Sequence, residues 1–290
     1  MSVLKISPNF AQKSEVLYKL GVIFGKTYQL DQAINYLKLS ALETNIEPIA
    51  NRKLDIQCKI GICHLEKKEF EEAHYSFESA LKMGEQNARV FQHLAWCEFL
   101  MNDFKSGLEH INKALESTPS ESDSFYIQAR ILVALDKFDE AKIAFNNAIG
   151  QTKKPIYYSS LAILNSITKN YTEAFDNFLK ATQLDPSIQE TWYDIGILYE
   201  IHHQTSEASV AYQRAIEANP NYSEAITRKK LLETPEIANS AFPQFVHSEF
   251  RVNDTMVPTK SYLNNPKVKK ASDTFSNPPQ DISHIPNPIV

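Results

Sequence analysis

Glycine is scarce in this chain of 290 residues: there are seven, and none follows Gly196. Phosphate cradles need closely spaced glycines so that backbone N–H groups can approach the anion. No such spacing occurs, which argues against phosphate chemistry. Cysteine is scarcer still. Cys58, Cys63 and Cys97 make an odd set whose spacings match no disulfide framework, so the chain suits a reducing compartment and the thiols read as small buried hydrophobes. No run of about 18 apolar residues occurs, and the opening MSVLKISPNF has no continuous apolar core of a secretory signal. A nuclear or, alternatively, cytoplasmic protein without a membrane span is expected. The formal net charge of -5 leaves no basic footprint, so direct nucleic-acid contact is not expected either.

The residues of catalysis and metal binding are also poorly placed. The eight histidines form no zinc spacing with the cysteines; His93 and Cys97 stand one helical turn apart, but two ligands do not close a site. Carboxylates cluster in stretches such as EKKEFEEAHYSFE, where alternating charge marks a solvated helix face. No serine, cysteine or threonine sits in a nucleophile-elbow setting. The reading is therefore a chain without enzymatic activity, cofactor or metal.

What the chain does contain is a period. Ala208, Ala174, Ala141, Gly107, Ala73 and Ala33 are separated by 34, 33, 34, 34 and 40 residues. Ala215, Ala181, Ala148, Ala114, Ala80 and Ser40 keep the same steps, and so does the apolar series Tyr212, Phe178, Phe145, Ile111, Phe77 and Leu37. Pro119, Pro186 and Pro220 close units. A bulky residue followed four positions later by a small one recurs as Leu17 and Gly21, Phe91 and Ala95, Phe125 and Ala129, Tyr158 and Ala162, and Trp192 and Gly196, with Gln57 before Gly61 as the exception. Two antiparallel helices that cross closely need a small side chain at each crossing and a large neighbour to fill the adjoining groove. Each unit thus predicts a helical hairpin whose remaining apolar face only the next hairpin covers.

The 40-residue step places six extra residues near ETNIEPIANRK, as a longer connection or an extended helix start, and the array would bend or gap there if anywhere. YSEAITRKKLLE reads as a terminal capping helix. From Thr234 onward, eight of the fourteen prolines fall in 57 residues without glycine, a composition that forms no packed core. The expected organisation is a repeat array over 14–233 and a proline-rich, largely disordered tail over 234–290. Within the tail, AFPQFVHSEF gathers Phe242, Phe245, Val246 and Phe250, which suits docking as one amphipathic turn or an extended strip. NPKVKK at 265–270 matches a weak nuclear-import signal.

Trp192, Ile195, Gly196, Tyr199, Ala208, Tyr212, Ala215 and Pro220 follow the tetratricopeptide repeat pattern, and the chain resembles that superfamily. The resemblance implies an all-α, right-handed superhelix, an α-α solenoid of about six hairpins, in which the first helix of each hairpin lines a concave groove. The second, fifth, ninth and twelfth positions of those helices nominate Tyr18, Gln92, Trp96, Phe99, Tyr126, Arg130, Tyr193 and Ile197 as the partner-binding groove, with Glu200 beside them. Trp96 and Tyr126 are the expected anchors. The lysine and asparagine set of carboxylate-clamp co-chaperones is missing. An apolar groove and a Phe-rich tail together raise the expectation that the tail folds back into the groove.

EVLYKLGVIF, KIGICHLEKKEFEEAHYSFESAL, NYTEAFDNFLKATQLDPSIQETWYDIGILYE and AYQRAIEANP are similar to the repeats of the yeast-type general transcriptional corepressor and of a related histone demethylase. That resemblance implies a nuclear scaffold bridging DNA-binding transcription factors and a WD-repeat corepressor. The chain departs from it in showing six repeats and no glutamine-rich tract. The alternative is a subunit of a large assembly such as a ubiquitin ligase or a ciliary complex, in which the outer helix faces matter as much as the groove.

Overall fold

A computed structural model describes residues 13–42, 49–83, 87–234 and 243–248. Among them the chain is entirely helical, with thirteen helices and no strand. It divides at Ser117 and Thr118 into two units. The first holds three hairpins: α1 (Lys13–Lys26) with α2 (Leu30–Leu42), α3 (Ile49–Glu66) with α4 (Phe70–Met83), and α5 (Ala88–Leu100) with α6 (Phe104–Ser117). The second, which runs to Arg251, holds α7 (Ser122–Ala134) with α8 (Phe138–Gln151), α9 (Pro155–Ile167) with α10 (Tyr171–Leu184), and α11 (Gln189–Ile201) with α12 (Thr205–Ala218), followed by the single helix α13 (Ser223–Leu232). Within each unit every hairpin packs on the next, the stacking of an α-α solenoid.

The three periodic series are what the hairpins are built on. Ala33, Ala73, Ala141, Ala174 and Ala208 are all fully buried, and Leu37, Phe77, Ile111, Phe145, Phe178 and Tyr212 fill the spaces beside the crossings with no exposed surface. Where the first helix carries glycine the backbones approach most closely. A β-carbon at Gly21 would lie 2.7 Å from Leu37 Cγ, one at Gly61 2.7 Å from Phe77 Cε1, and one at Gly196 2.7 Å from Tyr212 Cδ1. Real side chains do not approach that near, so these positions set the hairpin spacing.

Each hairpin turn is closed by the same device. Tyr28, Lys68, Asn102, Asp136, Lys169 and His203 all have positive φ, between 57° and 63°. Around each, the residue after it donates its N–H five positions back, as in Gln29 to Phe24, Asp103 to Glu98 and Gln204 to Tyr199. This is the helix-ending motif that glycine ordinarily serves, made here without glycine.

Most of the six extra residues of the long step lengthen α3, which has 18 residues against 13 or 14 in the other hairpin helices. The first unit is continuous across this step. Tyr18 of α1 donates to Asp55 of α3 at 2.5 Å, and Arg52 pairs with Glu15 at 2.5 Å. At the other end α13 covers the last hairpin as expected of a cap: Arg228 forks onto Glu200 with contacts of 2.8 and 2.5 Å, Tyr212 donates to the same carboxylate, and Ala225 is fully buried.

Candidate functional site

The second unit carries an occupied surface. Pro243–Ser248, neither helix nor strand, lies along the first helices of its last two hairpins. The Val246 amide donates to Asp194 Oδ1 of α11 at 2.7 Å, and His247 Nδ1 lies 3.3 Å from Ser160 Oγ of α9. Phe245 packs on the cluster of Ala162, Ile163, Phe178, Ile195 and Leu198, its ring 6.4 Å from that of Phe178 at 29°. Val246 packs on the neighbouring cluster of Tyr193, Ile197 and Tyr212.

The polar groups beneath the segment form a chain. Arg130 Nη1 donates to the Tyr126 hydroxyl at 3.0 Å, and that hydroxyl lies 3.2 Å from Ser160 Oγ, which in turn reaches His247. Either hydroxyl can donate along this chain; in the arrangement that runs outward from the guanidinium, Ser160 donates to His247 Nδ1 and the imidazole is neutral. Burial, and secondarily the Arg130 charge, pushes the His247 pKa down to about 3. Asp194 is fully buried, and burial raises its carboxyl well above the usual range while the Val246 N–H acts in the opposite sense. Among the described residues that amide is the one hydrogen-bond donor to Asp194, and its Oδ2 has none.

The nominated groove residues divide. Tyr126 and Ile197 have no exposed surface and Tyr193 is buried between Tyr212 and Tyr222, with ring separations of 5.4 and 5.5 Å. Tyr126 therefore reaches the docked segment through Ser160 and not as a direct anchor. Arg130 lies at the end of the same chain. Glu200 is committed to Arg228 of the cap. In the first unit Tyr18 is held by Asp55 with the Arg52 guanidinium 5.5 Å above its ring, Gln92 is buried, and Trp96 stacks on half-buried Phe99 at 5.0 Å. Of the polar side chains that meet the docked segment, Asp194 stands one residue beyond the expected position Tyr193, and Ser160 is not among the nominated residues. The one signal in the sequence that points to Asp194, and that the choice of helix positions passed over, is a charged residue inside the apolar run TWYDIGILY. Of the Phe-rich stretch, Phe245 and Val246 dock; Phe242 and Phe250, like NPKVKK, lie outside the described residues.

A second polar cluster sits in the first unit. Glu98 of α5, almost fully buried, receives His110 Nδ1 at 2.8 Å and His74 Nε2 at 3.3 Å, joining α4, α5 and α6. His93 stacks on Phe77 at 5.2 Å, and Cys97 directs its thiol to the Phe70 carbonyl at 3.2 Å; burial pushes that thiol up to about 12. All three cysteines are free and buried. Among the described residues no three His, Cys, Asp or Glu side chains are grouped to hold a metal ion, and no helix is long and apolar enough to cross a membrane.

Residues 66–148 match the family model for subunit 3 of the anaphase-promoting complex, or cyclosome. Over 236 residues the chain is 23% identical to anaphase-promoting complex subunit 3 of Schizosaccharomyces pombe, a span of 76% of this chain and 33% of that protein. It thus spans about a third of that relative's length. Among solved structures, the Cut9–Hcn1 hetero-tetramer of APC/C superposes with a TM-score of 0.66 at 12% identity, covering 78% of this chain and 43% of that one. A thermophilic tetratricopeptide-repeat protein of Thermus thermophilus gives 0.56 at 17% identity, covering 62% of this chain and 98% of that one. These relatives lend no support to the corepressor subtype. In repeat period, helix crossing and backbone fold alike, the chain folds as a tetratricopeptide-repeat protein.

Proposed function

We propose that this chain is a non-catalytic scaffold for protein interactions and serves as a repeat subunit of a large multi-subunit assembly of the ubiquitin-ligase kind. The observation that carries the reading is the likeness to anaphase-promoting complex subunit 3 over 76% of the chain. It favours the assembly alternative over a nuclear corepressor that bridges transcription factors to a WD-repeat partner; that reading rests on the wording of a few repeats.

The outer surface supports an assembly role. The second helix of each hairpin in the second unit leaves a large aliphatic side chain in solvent: Ile143 on α8 is 63% exposed, Leu179 on α10 49% and Val210 on α12 58%. Aliphatic side chains recurring on the solvent side of successive hairpins are the kind of surface that neighbouring subunits cover. On the inner side, half-buried Phe99 of the first unit, backed by buried Trp96, and the Asp194 surface of the second are the proposed contacts for an extended polypeptide.

Affinity purification of the full chain from its own cells tests this. Ubiquitin-transfer activity is expected to co-purify with the wild-type chain and to be lost from the triple variant Ile143→Asp, Leu179→Asp, Val210→Asp, whose fold these exposed positions leave intact. Recovery of a WD-repeat corepressor in place of ligase activity would overturn the reading.

A further inference from the structure

We propose that Pro243–Ser248 is a tethered occupant of a peptide site on α9 and α11, and that the same site takes in trans an extended segment presenting an aromatic–aliphatic pair followed by a hydrogen-bonding side chain. This deepens the reading of the inner face as a polypeptide-binding surface and rests on it.

Three independent contacts define the site. Asp194 is a fully buried carboxyl that receives its one described hydrogen bond from a main-chain amide of the segment. A buried carboxylate without a donor is costly, so the fold keeps at this point a group whose use depends on an arriving backbone N–H. Any residue but proline supplies that N–H, which means Asp194 fixes the register of an extended chain while reading almost nothing of its side chains. Reading is left to the two neighbours. The surface around Phe178 and Ile195 takes the Phe245 ring, and Ser160, backed by Tyr126 and Arg130, takes the His247 imidazole. An aromatic side chain with an aliphatic neighbour meets the two adjoining apolar clusters at once.

Occupancy in cis follows from the covalent link. Eight residues, 235–242, separate the end of the described α13 region from the segment. A short tether of this kind gives an effective concentration on the order of millimolar. A peptide in trans must therefore outcompete the segment, and the chain admits only ligands that bind better than its own or that arrive when the segment is held elsewhere.

Fluorescence polarisation with a labelled peptide of sequence SAFPQFVHSEF, residues 240–250, tests the proposal on the full chain. The Phe245→Asp chain, whose own segment no longer fits, is expected to bind the peptide at least tenfold more tightly than wild type does. The same peptide carrying Phe245→Ala is expected to lose that binding. Equal affinity of the two chains, or no binding to either, would overturn the proposal. Amide exchange on the wild-type chain provides a second readout that needs no variant. Protection of the Val246 amide is expected; exchange at the rate of the free peptide would refute docking. Ligase co-purification with no peptide exchange would remove the tethered occupant alone. Peptide exchange without co-purification would remove the assembly reading alone.

Discussion

Gly196 shows how much one hydrogen atom in place of a methyl group decides here. Its α-carbon faces the Tyr212 ring with no room for a β-carbon, so Gly196→Ala must displace a fully buried aromatic that also donates to Glu200. Overpacking of this kind costs about 1–3 kcal/mol, and urea unfolding is expected to show that loss. Gly150→Ala is the control. Nothing lies within 4 Å of its would-be β-carbon, and the gain in helix propensity should leave it neutral or stabilised by up to about 1 kcal/mol.

His247 supplies a prediction of another kind at the same scale. Its pKa is depressed when docked, from 6.5 to about 3. The undocked state therefore binds a proton that the docked state refuses, and docking is at full strength above pH 6.5 and weakens as pH falls through that value. Asp194 carries two opposed effects: burial, the larger, raises its carboxyl and favours the protonated form, while the Val246 N–H favours the ionised one. Glu190 on α11 also opposes that ionisation, and the Arg130 charge opposes protonation of His247. Protection of the Val246 amide, corrected for intrinsic exchange, should be lower by about tenfold at about pH 5.5 than at about pH 7.5; equal protection would contradict the neutral-imidazole arrangement. The crossing residues were legible because a fixed period exposes them. Ser160 and Asp194 were not, because helix positions differ by about 100° per residue and a one-residue error in choosing the inner face turns the choice aside.

Among the elements, the turns show a regularity that the sequence conceals. The left-handed residues keep the same steps as the crossing series, yet their identities, Tyr, Lys, Asn, Asp, Lys and His, share no chemistry. Asn102, Asp136 and His203 belong to residue types that favour this backbone; Tyr28, Lys68 and Lys169 do not. The turn is set by hairpin packing and imposed on whatever residue occupies it. Lys169→Gly is therefore expected to stabilise the chain by about 0.5–1 kcal/mol, since relief of the β-carbon strain exceeds the entropic cost of glycine, while Asn102→Gly should change little. Thermal unfolding of the two variants checks this, and a Lys169→Gly chain no more stable than Asn102→Gly would contradict it. The helix α3 was half legible: the period reveals the six surplus residues, but a longer connection and a longer helix satisfy the same count. The cap was legible in composition, whereas the Arg228–Glu200 fork that anchors it joins residues 28 apart and leaves no local trace.

At the scale of the whole molecule, the repeat architecture follows from the sequence because it is written six times, and an interaction partner does not because nothing in a period specifies what it binds. The Phe-rich stretch was an exception, since an aromatic cluster within a proline-rich tail stands out against its composition and its centre proves to have a seat on the second unit. The corepressor resemblance drew on phrases common to many tetratricopeptide repeats, whereas the likeness to anaphase-promoting complex subunit 3 spans 76% of the chain. The aliphatic side chains left in solvent on α8, α10 and α12 are consistent with a surface finished by other subunits. Velocity sedimentation of the full chain in lysate of its own cells tests the scaffold reading most directly. The chain, 33.0 kDa by itself, is expected to travel with a particle many times its mass; sedimentation at the rate of the free chain would contradict it.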